Sequence, residues 1–268
     1  MKTKTIIHEV TFCASPHEVY EALMDEKKHS KFTNAPAEIQ RKAGGKFSFY
    51  EGLSSEVVEL KEDERIVLSW RADDWPKGHY SEVTYTLSPV ADGRRTQLSL
   101  IQTGVPEDKF DEINKGWQEY YWTKMAAYFR DEKVALVRRF MEEFKNKANL
   151  DIVDELFTRD FVLHLPGVTM PPGPEGQKTV GKAIFAAFSR VQVEVEDTIV
   201  EGDRVVERHR ARAVHSGEFN GVPATGRKVF WTENHIYRVT GGKIAEAWSE
   251  VSFHNLMAQI TSKDPMTA

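Results

Sequence analysis

Residues 230–253 read FWTENHIYRVTGGKIAEAWSEVSF. Two alternating runs flank TGGK, whose paired glycines supply the positive φ that a two-residue hairpin turn demands. Strand side chains alternate faces, so Glu233, His235 and Tyr237 share one face of the first run. On the second run Trp248 and Glu250 share a face. A sheet face carrying these groups reads in three ways: an active site, a pocket without chemistry, or an ordinary buried face.

Working back along the chain, QVEVEDTIVEGD and RVVERHRARAVHSGEF (residues 192–203 and 204–219) supply two more strands, separated by a turn at EGDR. Before them come the amphipathic helix VALVRRFMEEFKNKANLDIVDELF with a polar break at Asn146–Asn149, a short strand RDFVLHLPG, and the loop GVTMPPGPEG, whose prolines forbid regular structure. A short apolar helix KAIFAAFSRV follows the loop. Helices first and strands last predict an α+β cone, a sheet curled around helices.

Residues 1–131 run in the opposite order. TIIHEVTF is a strand, and ASPHEVYEALMD a helix with Ser15 as N-cap, Pro16 at the first position and Glu18 completing a capping box. Successive alternating runs to Val105 predict an antiparallel meander. From Pro106 a long helix carries Phe110, Ile113, Trp117, Tyr120, Tyr121 and Met125 at three- and four-residue spacing, a stripe that requires a large partner surface. The fold class is therefore α+β in two domains, 1–131 and 132–268, joined without a flexible linker. The first is an antiparallel sheet gripping a long C-terminal helix, and the second is the cone.

The 268 residues, 40% hydrophobic and 29% charged with a net charge of −5, describe a folded domain protein with no polycationic half. Nucleic-acid binding has no electrostatic support. No segment approaches the about 20 apolar residues of a membrane span, and a cytoplasmic location is expected, with no membrane partner. A single cysteine, Cys13, excludes an internal disulfide and reads as a small buried hydrophobe. The nine histidines show no metal-ligand spacing, so no metal and no cofactor are expected.

The blocks FTNAPAEIQRKAGGKFSFYEG, IVLSWRADDWPKGHYSEVTYTL and TGVPEDKFDEINKGWQEYYW (residues 32–52, 66–87 and 103–122) resemble the C-terminal domain of the activators of Hsp90 ATPase, within the Bet v 1/START-like helix-grip superfamily. VEGDRVVERHRARAVHSGEFNGVPATGRKV and IYRVTGGKIAEAWSEVSFHNLMAQI (residues 200–229 and 236–260) resemble the SnoaL-like polyketide cyclases, an NTF2-like branch. The first resemblance implies a Hsp90-type chaperone partner and a stress-related role. The eukaryotic activators carry a further domain ahead of this one, which this chain is expected to lack. The second resemblance implies ring closure by an aspartate on the last strand beside a histidine and an amide. It puts His235 on that histidine, Glu233 on the amide and Ser249 on the aspartate; a one-residue slip would turn Glu250 inward instead.

From the residues themselves, Glu233 and His235 form an acid–base pair for cofactor-independent isomerase, cyclase or lyase chemistry. Trp231, Tyr237, Trp248 and His164 would line the ligand site of the cone. The bland reading pairs Glu233 with Arg208 or Arg210 across the strands. A serine in the aspartate position tilts the protein away from enzymes and toward binding. In the first domain, Trp117 and Tyr121 would line a cavity for a small hydrophobic ligand. Trp75, Pro76 and His79, in the loop DDWPKGHY, would dock a partner protein. The outer face of the cone's sheet would make a homodimer.

Overall fold

Ser15 opens the first helix as a capping box: its Oγ accepts from the Glu18 amide, and Glu18 Oε2 accepts from the Ser15 amide at 2.8 Å. Such caps stabilise a helix by about 1 kcal/mol. The computed structural model describes residues 1–90 and 93–262 and divides into two compact units, Met1–Asp131 and Glu132–Ala268.

In the first unit, seven strands form one antiparallel sheet in the order β1-β7-β6-β5-β4-β3-β2. They are β1 (Thr3–Phe12), β2 (Ala37–Ile39), β3 (Lys46–Phe49), β4 (Leu53–Lys61), β5 (Arg65–Ala72), β6 (Ser81–Val90) and β7 (Arg95–Pro106). Helices α1 (Pro16–Met24) and α2 (Glu26–Thr33) lie between β1 and β2. α2, EKKHSKFT, has no apolar stripe to announce it. It is held by the Asp25 carboxylate, which accepts from the Lys27 and Lys28 amides, and it buries only His29, Phe32 and Thr33. The long helix comprises α3 (Phe110–Gly116), a π-helical turn Trp117–Trp122 and α4 (Thr123–Phe140), which contains the boundary residue. The wider π turn lets Trp117, Tyr121 and Trp122 all face the sheet, where Trp117 and Trp122 meet Tyr85 and Trp122 also meets Phe12.

The second unit is a five-stranded sheet in the order β8-β12-β11-β10-β9. Its strands are β8 (Phe157–His164), β9 (Phe188–Glu201), β10 (Arg204–His215), β11 (Lys228–Thr240) and β12 (Lys243–Val251). β8 runs parallel to β12 and the other pairs are antiparallel. A second π-helical turn, Met141–Asn146, and helices α5 (Ile152–Leu156), α6 (Pro174–Ala187) and α7 (Phe253–Thr261) complete it. Two predicted boundaries move. α6 starts inside the proline-rich loop, because Pro174 fits a first helical turn that needs no N–H. The FSRV expected to end that helix instead opens β9.

The β11–β12 hairpin turns on Gly241 and Gly242, both at positive φ, with Thr240 opposite Lys243. A bulge then follows. Val239 pairs with Ile244 but Arg238 pairs with Glu246, so Ala245 is an extra residue and every later side chain of β12 changes face. No helix among the described residues is long and apolar enough to cross a membrane.

Candidate functional site

Two interiors carry the candidate residues. In the second unit, β10 and β11 turn Glu207, His209, Glu233 and His235 inward beside Lys145 from the π-helical turn. None of these is more than 8% exposed. Lys145 Nζ donates to both Glu233 oxygens, at 2.9 and 3.2 Å. Trp231 Nε1 donates to Glu233 Oε1 at 2.6 Å, and His235 Nε2 lies 2.7 Å from Glu233 Oε2. His235 Nδ1 meets Ser249 Oγ at 2.7 Å, and His209 Nε2 meets Glu207 at 2.8 Å. The Tyr237 ring stacks on His235, and its hydroxyl is spent on Met141 Sδ.

Burial works against ionisation of Glu233. The Lys145 ammonium, the hydrogen bond of His235 and the His209 ring 3.9 Å away outweigh it and hold the carboxyl well below its usual range. Burial keeps the His235 imidazole below its ordinary value, with the Lys145 charge adding to the effect against the pull of Glu233. Burial also opposes the charged form of His209, yet its partners Glu207 and Glu233 raise it. Two carboxylates, one ammonium and two imidazoles are gathered in one buried cluster. Glu233 is thus a fixed anion in a closed ion pair with all its lone pairs directed at donors, and it has no capacity left to take a substrate proton. Ligand-type atoms of His209, Glu233 and His235 lie within 4.8 Å of one another, as a metal site would need. Lys145 Nζ, bound to both Glu233 oxygens, would compete with a cation for that carboxylate.

Several expectations are corrected here. Arg208 and Arg210 do not meet Glu233. They face outward and bind Glu196 at 3.2 and 2.6 Å, because alternation sends their neighbour His209 inward. Glu250 is exposed and Ser249 is inside. Trp248 is not in the cone. The bulge at Ala245 puts it on the outer face, stacked on His164 at 5.0 Å with Arg204 over its ring. His164 is therefore an outer-face residue as well, hydrogen-bonded to Glu246. Lys145 was missed, although Met141, Phe144 and Lys145 stand at core spacing on an amphipathic helix. A lysine on the apolar stripe was the available signal.

In the first unit, a cavity of about 330 Å³ lies between the long helix and the sheet. Its walls are Phe49, Tyr50, Leu53, Trp70, Ile113, Gly116, Trp117, Tyr120 and Tyr121. Most polar atoms of its buried aromatic walls are committed elsewhere. Trp117 Nε1 donates to Gln102 at 2.8 Å, and Gln102 donates on to Ser81. Tyr121 Oη reaches His29 Nε2 at 3.3 Å, while His29 Nδ1 donates to the Leu23 carbonyl. Burial lowers the His29 pKa to about 4, so the imidazole is a neutral acceptor. Tyr50 Oη donates to the Thr33 carbonyl and accepts from Lys124. The Trp70 N–H is buried without an acceptor and packs against Trp75. What faces the cavity is ring surface.

The loop expected to dock a partner keeps its tryptophan inside. Trp75 is 3% exposed and lies 5.1 Å from the Trp70 ring. An indole recovers more by packing on a second indole than by facing water. Pro76 stays exposed, and half-buried His79 is bound to the Gly104 carbonyl.

Residues 13–130 match the family model described as Activator of Hsp90 ATPase homolog 1-like protein, and residues 135–260 match SnoaL-like polyketide cyclase. The activator of 90 kDa heat shock protein ATPase homolog 1 of Homo sapiens is 34% identical over 120 residues, covering 44% of this chain and 35% of that protein. The homologue of Dictyostelium discoideum is 36% identical over 118 residues, 43% of this chain and 30% of that protein. The chain thus spans about a third of the length of the curated relatives it matches. Among solved structures, IdmH, a putative polyketide cyclase from Streptomyces antibioticus, is 34% identical, covering 48% of this chain and 99% of that one with a TM-score of 0.44. The N-terminal half resembles the Hsp90 ATPase activator family in a helix-grip fold, and the C-terminal half resembles the SnoaL-like family in an NTF2-like fold.

Proposed function

We propose that the protein is a two-domain binding protein, its domains 1–131 and 132–268, and not an enzyme. The first domain takes a small hydrophobic ligand and engages a Hsp90-type chaperone. The observation that carries the ligand half is the cavity beside Trp117 and Tyr121, whose volume of about 330 Å³ lies at the lower end of the roughly 300–1,000 Å³ range of ligand pockets. Walls made mainly of ring faces select an apolar molecule by shape. The chaperone half rests on the likeness to the activators, and its contact surface includes exposed Pro76 and excludes Trp75. A cytoplasmic, stress-related role and a homodimer through the second domain belong to the same reading. Cyclase or isomerase chemistry at Glu233 and His235 is the weaker alternative, because the ion pair to Lys145 removes the base.

Native mass spectrometry of the full chain tests the ligand half. A co-purified apolar adduct is expected in wild type and should vanish in Ile113→Trp, which fills the cavity. An adduct unchanged in that variant would reject the site. For the chaperone half, the full chain should raise Hsp90 ATPase turnover; no stimulation at any concentration would reject it.

A further inference from the structure

On the outer face of the second sheet, a groove of about 430 Å³ is lined by Arg190, Arg210, Arg212, Lys228, Val214 and Phe230. The ladder explains their convergence: Arg212 stands opposite Phe230 and Val214 opposite Lys228. Arg190 joins them through a second bulge. Arg212 pairs with Gln192 but Val214 pairs with Ser189, so β9 carries one extra residue there. Arg190 adopts the left-handed conformation, φ 53°. A non-glycine residue in that region is strained, and a bulge at a sheet edge commonly re-aims a side chain. Here it adds a third guanidinium to the groove.

The charges are not balanced locally. Glu196 holds Arg208 and Arg210, and Glu194 stands opposite Arg210 in the ladder. Opposite Arg212 there is only Gln192. Arg190, Arg212 and Lys228 have no ion pair among the described residues, in a chain whose net charge is −5. Phe230, 46% exposed, and Val214 give the groove an apolar floor that strengthens charge–charge attraction above it.

We infer that this groove binds a compact polyanion of the diphosphate class, held by Arg190, Arg212 and Lys228. Three cations from three strands match oxygens spread over two tetrahedral phosphates, whereas one planar carboxylate is satisfied by a single guanidinium fork. The site lies on the sheet face opposite the buried Glu233 cluster and does not depend on the ligand cavity of the first domain.

The test is isothermal titration calorimetry of the full chain with inorganic pyrophosphate at low ionic strength. One-to-one saturable binding is expected, weakening as salt rises. The double variant Arg190→Ala/Arg212→Ala should lose at least about tenfold in affinity while keeping the wild-type melting temperature, since both side chains are exposed. Glu196→Gln should bind as tightly or tighter. No saturable heat, equal affinity in the double variant, or equal affinity for citrate would overturn the assignment. The proposed homodimer must leave this groove open, so a dimer by light scattering whose cross-links run through Lys228 would also overturn the assignment, since a second copy would then fill the groove.

Discussion

The two interiors solve the same packing problem with opposite chemistry. The helix-grip interior is built from aromatic rings, several of whose polar atoms are buried without a partner, and it keeps a cavity. The cone interior sets a charged cluster within an apolar core: two carboxylates, an ammonium and two imidazoles, bound to one another. A buried ion cluster must be closed by its own partners, since any unpaired charge there would be severely penalised.

Breaking the charged interior should have the largest effect. Lys145→Met leaves Glu233 buried without its cation and should cost about 3–5 kcal/mol in chemical denaturation. Adding Glu233→Gln should recover part of that loss. If the single variant unfolds like wild type, the cluster is not closed.

The pH response should separate the two regions in sign. Burial depresses the His29 pKa from the ordinary 6.5 to about 4 in the fold. Its contribution is complete above pH 6.5 and is lost as pH falls toward 4, about 3 kcal/mol at most. His209 is raised, so its contribution is present below 6.5 and is lost as pH rises through its folded value. His29→Phe should flatten the acid limb of the stability curve, and His209→Gln the neutral limb. An acid limb unchanged in His29→Phe would refute the neutral, buried imidazole.

The smallest effect distinguishes the two faces of β12. Ser249→Ala removes the hydroxyl bound to His235 and should cost about 1 kcal/mol. Glu250→Gln should stay within about 0.5 kcal/mol. Equal costs would mean that the bulge is misplaced.

Much of the fold was legible because it rests on local signals: the capping box at Ser15, the apolar stripe from Phe110, the glycine pair at the hairpin. What was not legible depended on partners distant in sequence. α2 forms on a cap and tertiary contacts, with too few apolar residues to give a period. Trp75 looked available because its neighbours Asp74 and Pro76 are loop residues, but its fate was decided by Trp70. Glu233 and His235 were correctly seen to share a face. Their controlling partner, Lys145, lies 88 residues from Glu233 in sequence, on a helix.

The extra residue at Ala245 works as a switch of parity. With Ala245 paired to Arg238 and not looped out, the strand would set His235 opposite Trp248 and carry Glu246, Trp248 and Glu250 into the cone. Two further carboxylates would then share the single ammonium, and an indole would occupy the place of a hydroxyl. Looping out one residue thus selects serine over glutamate for the interior, and with it the charge that this half of the molecule must enclose.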